Sequence, residues 1–159
     1  MSDLTHVDES GAARMVDVTG KPVTSRVAVA TGVVRTTAEV VALLASNGLK
    51  KGDAIAVARI AGIMGAKRTP DLVPLCHPLP ITGVTLDFTL GDDSVAITAT
   101  VRTGGRTGVE MEALTAVAVA GLTLHDMIKA VDPAAVLSEV RVERKEGGKT
   151  GVWTRPEDR

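Results

Sequence analysis

Aromatic side chains are almost missing from this 159-residue chain: Phe88 and Trp153 stand alone and there is no tyrosine. Without stacking platforms, single-stranded nucleic-acid binding of the usual kind is excluded. A net charge of −1 and an isoelectric point near 6.3 speak against a general nucleic-acid binder as well. There is one cysteine, Cys76, so no internal disulfide can form, which suits a reducing compartment. Long apolar runs are also lacking. The longest uncharged apolar stretch lies around residues 114–124, short of the ~20 residues that span a bilayer. The first residues, Met1-Ser2-Asp3-Leu4-Thr5-His6, show no basic region followed by an apolar one, so no signal peptide is expected. A cytoplasmic domain acting on a small molecule is the expectation that remains, with neither nucleic acid nor membrane as partner.

What is abundant is small and aliphatic. Val (23) and Ala (21) supply 44 of the 71 hydrophobic residues, so the core is filled by groups that let helices and sheet approach closely. The length implies one domain over 1–159. Within it, 1–25 reads as an arm and 152–159 as a polar tail. Residues 26–34 alternate through Val27, Val29 and Val33 as a first strand. Thr36 and Glu39 have the spacing of a capping box before a short helix, with Gly48 at its C-cap. Asp53 caps a second helix over 54–67, ended by Pro70. Pro74, Pro78 and Pro80 hold Leu75-Cys76-His77 in turn or extended geometry. Strands follow at 81–90 and 95–102, joined by a turn at Gly91-Asp92-Asp93-Ser94. A basic glycine loop (103–108), a long apolar helix to Val131 and a last strand at 136–142 complete the pattern. The order β-α-α-β-β-α-β implies an α+β, ferredoxin-like fold with a four-stranded antiparallel sheet against helices.

Charges gather at element ends. Lys51 precedes a helix N-terminus, where free N–H groups attract anions; Lys67 and Arg68 end the same helix; Arg106 and Lys149 sit in glycine loops. Gly148-Lys149-Thr150 lacks the first glycine and the following helix of a P-loop. The three histidines are scattered and Cys76 has no second cysteine, so no metal site is expected. Adjacent in an extended segment, Cys76 and His77 point to opposite faces and make a poor nucleophile–base pair. Asp126 and Lys129 share a helix face at the end of an apolar segment, where partial desolvation would tune them toward acid/base work. Glu112 lies on nearly the same face but about 21 Å away along the axis. Glu112 and Asp126 therefore cannot touch one reacting atom within one chain. Glu110 reads as a capping carboxylate.

The run Lys51-Gly52-Asp53, Ala58-Arg59-Ile60-Ala61-Gly62-Ile63, Ala66-Lys67-Arg68-Thr69 and Asp71-Leu72-Val73-Pro74-Leu75-Cys76-His77-Pro78-Leu79 resembles the cyclic pyranopterin monophosphate synthase (MoaC) family of molybdenum-cofactor biosynthesis. So do Met15-Val16-Asp17-Val18, Thr107-Gly108-Val109-Glu110-Met111-Glu112, Asp126-Met127, Lys129-Ala130-Val131 and Gly147-Gly148-Lys149. The resemblance implies a phosphorus–oxygen lyase. It converts a cyclised dihydroguanosine triphosphate, supplied by a radical GTP cyclase, to cyclic pyranopterin monophosphate and pyrophosphate. It implies no cofactor, and a homohexamer (a trimer of dimers) with sites at subunit interfaces. Carried over residue by residue, Asp126 is the catalytic acid/base, with Lys51 and Lys129 beside it. Leu75, Cys76, His77, Met111, Glu112 and Lys145 bind substrate, and Arg26, Lys67 and Arg68 are further pocket cations. Departures from the family pattern are His125 for Tyr, Ile128 for Cys and Thr19 for Ser; none removes a proposed catalytic group. Two other classes stand beside it: a non-catalytic module binding an anionic metabolite, which fits the basic loops but not the Asp126/Lys129 pair, and a structural oligomer subunit, which would bind no ligand.

Overall fold

The computed structural model describes residues 5–157; residues 1–4 and 158–159, on which part of the leader and tail readings fall, lie outside the described residues. In chain order the elements are β1 (Thr24–Arg35), α1 (Ala38–Ala45), α2 (Ala54–Lys67), α3 (Thr69–Leu72), β2 (Ile81–Leu90), β3 (Ser94–Gly105), α4 (Glu110–Ile128), β4 (Val136–Glu146) and β5 (Trp153–Thr154). The strands form one antiparallel sheet in the order β2-β3-β1-β4-β5. The first four have the expected α+β, ferredoxin-like arrangement. The expected sheet of four gains a fifth strand of two residues, because Lys145 and Arg144 pair with Trp153 and Thr154 inside what reads as polar tail.

Alternation decides which face is covered. On β1, Ala28, Ala30, Gly32 and Val34 are buried, and on β3 Val95, Ile97, Ala99 and Val101 are fully buried. Side chains two apart share a face, so these central strands present one small-residue surface to the helices. The apolar stripe of α4 (Ala113, Ala116, Val117, Ala120, Leu124, Ile128) lies on it against β1, β3 and β4. By length and composition alone α4 could cross a membrane; here it is the core helix.

Helix α2 packs on α4 and β2. Gly62 explains how closely. A Cβ there would stand 2.5 Å from Leu86 Cδ2 and 2.9 Å from the Ala116 carbonyl oxygen. Only glycine lets the two helix backbones meet at this distance. The two helices run antiparallel, since Gly62 meets Ala116 and Ala120 while Lys51, ahead of α2, reaches Asp126 at the far end of α4.

Several local expectations change. Thr37, not Thr36, caps α1, accepting from Val40 N–H; Thr36 instead donates to the nearly buried Asp132 carboxylate at 2.8 Å. Helix α1 ends at Ala45 because Asn47, at φ +53°, takes the left-handed position assigned to Gly48. Pro70 does not stop the chain from turning: it sits in the first turn of α3, where its missing N–H costs nothing. The first half of the loop read at 103–108 is strand, since β3 runs to Gly105 against Thr24. The long helix ends at Ile128 rather than Val131, and the last strand runs on from Val142 to Glu146.

Candidate functional site

The two ends of α4 carry two different groups of polar residues. At its C-terminal end Lys129 Nζ lies 2.8 Å from Asp126 Oδ1, and Lys51 Nζ lies 3.2 Å from Asp126 Oδ2. Lys51 also donates to the Asp126 backbone carbonyl at 2.8 Å. That carbonyl is among the last four of the helix, which lack intrahelical partners and carry the negative end of the dipole. Lys51 is thus drawn to the end of α4, not to the N-terminus of its own helix. There Asp53 holds the cap, accepting from Ala56 N–H at 2.9 Å. Hydrogen bonds from Lys129 and then Lys51 hold the Asp126 carboxyl below its ordinary value. The expected partial desolvation of this pair is not found in the single chain: the side chains of Asp126 and Lys129 are 59% and 54% exposed.

At the N-terminal end a cavity of 290 Å³ is lined by Leu75, Cys76, His77, Glu110, Met111 and Glu112, among others. The Pro-rich segment turns rather than extends, with Cys76 N–H donating to the Val73 carbonyl. Cys76 and His77 therefore both face the cavity instead of pointing to opposite sides. His77 Nε2 lies 2.6 Å from the Val16 carbonyl. A carbonyl only accepts, so Nε2 carries the proton and, in the neutral ring, Nδ1 is left as an acceptor. Glu112 is 2% exposed, and its Oε2 is buried without a partner. Burial pushes its carboxyl up, and the nearby charge of Glu110 adds to the effect. Burial, then the charge of Glu112, pushes the Cys76 thiol up too, which keeps it protonated and a poor nucleophile.

A second, smaller cavity of 150 Å³ adjoins the first through Thr107, Gly108 and Glu110 and is lined by Lys21, Arg26, Arg106 and Lys145. Lys145 Nζ pairs with Glu110 Oε1 at 3.0 Å. Arg26 spends two donors on the chain itself, Nε to the Gly105 carbonyl at 3.1 Å and Nη2 to that of Arg106 at 3.2 Å. It therefore fastens the loop before α4 as well as lending charge. Glycine suits position 148: φ is +74°, which strains other residues, and a Cβ would push the Arg26 guanidinium aside.

The structure thus gathers the sequence-predicted residues into two sets. Leu75, Cys76, His77, Met111 and Glu112 share one cavity, with Arg26 and Lys145 next door. Lys51, Asp126 and Lys129 form the other set, separated by the helix length of about 21 Å between Glu112 and Asp126. Lys67 and Arg68 line neither of the two cavities; they end α2, at the side where α4 begins. Three wall residues were not among the site residues expected from the sequence. Glu110 was hidden by its capping-box spacing, yet α4 is capped at Val109 without a side-chain bond and Glu110 binds Lys145 instead. Lys21 lay in the arm. Arg106 was visible as a loop cation, and its guanidinium bonds the Thr19 carbonyl. Among the described residues no three His, Cys, Asp or Glu side chains converge as metal ligands would.

The sequence matches the MoaC family over residues 15–148, which takes in every residue of both sets. The chain belongs to the MoaC family. A "Cyclic pyranopterin monophosphate synthase" of Streptomyces coelicolor is 68% identical over 152 residues, covering 96% of this chain and 89% of the relative. The "Cyclic pyranopterin monophosphate synthase 2" of Mycobacterium tuberculosis (strain H37Rv) is 64% identical over 153 residues, 96% of this chain and 92% of the relative. A namesake from Corynebacterium glutamicum is 62% identical over 154 residues, 97% and 99% of the two chains. The family's fold expectation and the observed sheet order agree, and the two sets of residues lie within the family's matched span.

Proposed function

We propose that this chain is a lyase of molybdenum-cofactor biosynthesis that makes cyclic pyranopterin monophosphate and pyrophosphate from a cyclised dihydroguanosine triphosphate. Full-length identity of 62–68% to relatives bearing that synthase name carries the reading. The geometry supports it through a pterin-sized cavity of 290 Å³ beside a cationic one.

The chemistry divides between the two sets. Closing the cyclic phosphate requires a sugar hydroxyl to attack the α-phosphorus. The bond from that phosphorus to the bridging oxygen breaks, pyrophosphate leaves, and the hydroxyl proton passes to a base. Charge grows on the leaving oxygens, which Lys145, Arg26, Lys67 and Arg68 offset. Opening and reclosing the purine-derived ring moves protons on and off carbon and nitrogen. Asp126, ionised between Lys51 and Lys129, takes the base role; Glu112, whose neutral form burial favours, suits proton donation. His77, with Nδ1 free, accepts from the ligand. No redox step is needed. Assembly as a homohexamer, a trimer of dimers with the site between subunits, brings the two sets to one substrate. A radical GTP cyclase is the functional partner upstream, and the compartment is the cytoplasm.

The test is incubation of purified protein with the cyclised triphosphate. Stoichiometric release of pyrophosphate with formation of the cyclic monophosphate is expected. Tight binding without pyrophosphate release would instead mark a module that only holds an anionic metabolite.

A further inference from the structure

One wall of the His77–Glu112 cavity comes from far along the chain: His6 lines it. A hairpin ahead of β1 carries that residue. Val7 and Ala13 form an antiparallel bridge. Asp8 N–H donates to the Ala12 carbonyl at 2.9 Å, and Arg14 N–H to the His6 carbonyl at 2.9 Å. One carboxylate fixes the tip. Asp8 Oδ1 accepts from Ser10 N–H at 2.9 Å, from Ser10 Oγ at 2.6 Å and from Ala12 N–H at 2.9 Å. The imidazole is oriented as well as placed. Its Nδ1 lies 3.3 Å from the Arg14 carbonyl. A carbonyl only accepts, so Nδ1 carries the proton, and in the neutral ring Nε2 is an acceptor without a partner among the described residues.

Little holds this hairpin against the cavity. Residues 5–15 are exposed apart from the partly buried Asp8. Among the described residues the hairpin's hydrogen bonds are internal to it, and a two-stranded hairpin alone is marginal in water. The chain is tied to the body just beyond it, and by residues of the site. His77 Nε2 donates to the Val16 carbonyl at 2.6 Å, and the Arg106 guanidinium donates to the Thr19 carbonyl. Asp17 shapes the turn between these two anchors, accepting from Thr19 N–H at 2.9 Å and Thr19 Oγ at 2.6 Å. A weakly held segment, anchored on the cavity walls and presenting an oriented acceptor, has the makings of a closing element.

We propose that the 6–14 hairpin is a strap that closes on the occupied cavity, and that His6 is a substrate-binding residue whose Nε2 accepts a hydrogen bond from the guanine-derived ring. That ring carries N–H donors along its edge and needs acceptors around it. His77 Nδ1 supplies one from the body of the protein and His6 Nε2 a second from the strap. An imidazole does this without adding negative charge beside Glu110 and Glu112. The ligand in turn gives the hairpin the buried contact that it lacks in the free chain. The proposal rests on the lyase reading, from which the ring is taken.

Hydrogen exchange tests the strap. The full chain carrying Asp126→Asn, whose slow turnover leaves the cyclised triphosphate bound, is compared with and without that compound. Exchange at the Asp8, Gly11 and Arg14 amides is expected to slow by about fivefold or more. Unchanged exchange there overturns the strap. Residues 75–79 and 107–113 report filling of the cavity in the same run; if they too are unchanged, the substrate reading falls with it. Steady-state kinetics test His6. His6→Ala should raise KM by about 3–10-fold, the worth of one neutral hydrogen bond, with kcat within about twofold. His6→Gln keeps an acceptor and should restore KM to within about twofold of wild type. An unchanged KM in His6→Ala, or equal losses in the two variants, overturns the contact. Should wild-type protein release no pyrophosphate, the lyase reading fails, while protection of the hairpin on binding the triphosphate still decides the strap.

Discussion

Replacing Glu112 by Gln should stabilise the protein at neutral pH and not at acid pH. The residue is 2% exposed and its Oε2 has no hydrogen-bond partner. Burial raises it above its ordinary value of 4.5, so the folded chain keeps this proton to higher pH than the unfolded chain does. Stability then falls as pH rises from about the unfolded value through the folded one, and the loss is complete above it. An unpaired buried polar group costs about 1–3 kcal/mol, more when charged. Gln leaves much of the neutral cost in place but abolishes the cost of ionising. The pH-dependent part should be on the order of 1 kcal/mol, or roughly 2–4 °C in Tm for a chain of this length. The assay is thermal unfolding of wild type and Glu112→Gln from pH 4 to pH 8, under conditions where both refold. A Tm difference that opens as pH rises supports the assignment. One that is flat across this range would show that Glu112 titrates alike in the folded and unfolded chains, and that the cavity wall is wetter than the geometry implies.

Asp126→Asn should lower turnover by about 10²–10⁴-fold, the range of a lost proton-transfer group, with Tm unchanged because the side chain is solvent-exposed. Lys51→Ala combined with Lys129→Ala should cost much less than the product of the single losses, since both act through the same carboxylate; steady-state rates decide it. Gly62→Ala should destabilise by about 1–3 kcal/mol through overpacking, against the usual gain from removing a helical glycine, because the new methyl meets the Ala116 carbonyl; urea unfolding reads this. Arg26→Met should raise KM for the triphosphate and loosen the loop before α4, which hydrogen exchange at Gly105 and Arg106 would show as faster.

The sheet and the two long helices were legible because their signals are periodic. Strand 81–90 and helix 54–67 span the residues that alternation, the Asp53 cap and the helical apolar spacing give them. Capping boxes misled because spacing alone does not say which hydroxyl or carboxylate has a better offer elsewhere. Thr36 is held by Asp132 and Glu110 by Lys145, partners 96 and 35 residues away in the chain. The residues proposed to bind substrate were singled out through family resemblance, and the cavity that unites Leu75–His77 with Met111 and Glu112 needed the turn at Cys76, which three prolines favour without specifying. Which way Lys51 points was not legible at all. Its position before α2 suggested an anion at that helix's start, and only the antiparallel contact with α4 supplied the free carbonyl it binds.

Two of the three carboxylates on α4, Glu112 and Asp126, are held in opposite environments. Both would have similar ordinary values; Asp126 is paired with two ammonium groups in the open, while Glu112 is buried with its Oε2 unpartnered. Groups whose environments separate their proton affinities in this way can act as base and acid at the same pH. The shape of the pH–rate curve follows. Ionised Asp126 is lost only below its ordinary 3.8, since its shift is downward, so an acid limb at higher pH belongs to another group. Protonated Glu112 is lost above 4.5, since its shift is upward. If it donates a proton in the reaction, kcat/KM should decline on the alkaline side through the Glu112 value. Neutral Gln cannot donate that proton, so Glu112→Gln should be slower at every pH and lack the limb. A variant that keeps both wild-type rate and limb would return Glu112 to a purely binding role and leave proton transfer to Asp126.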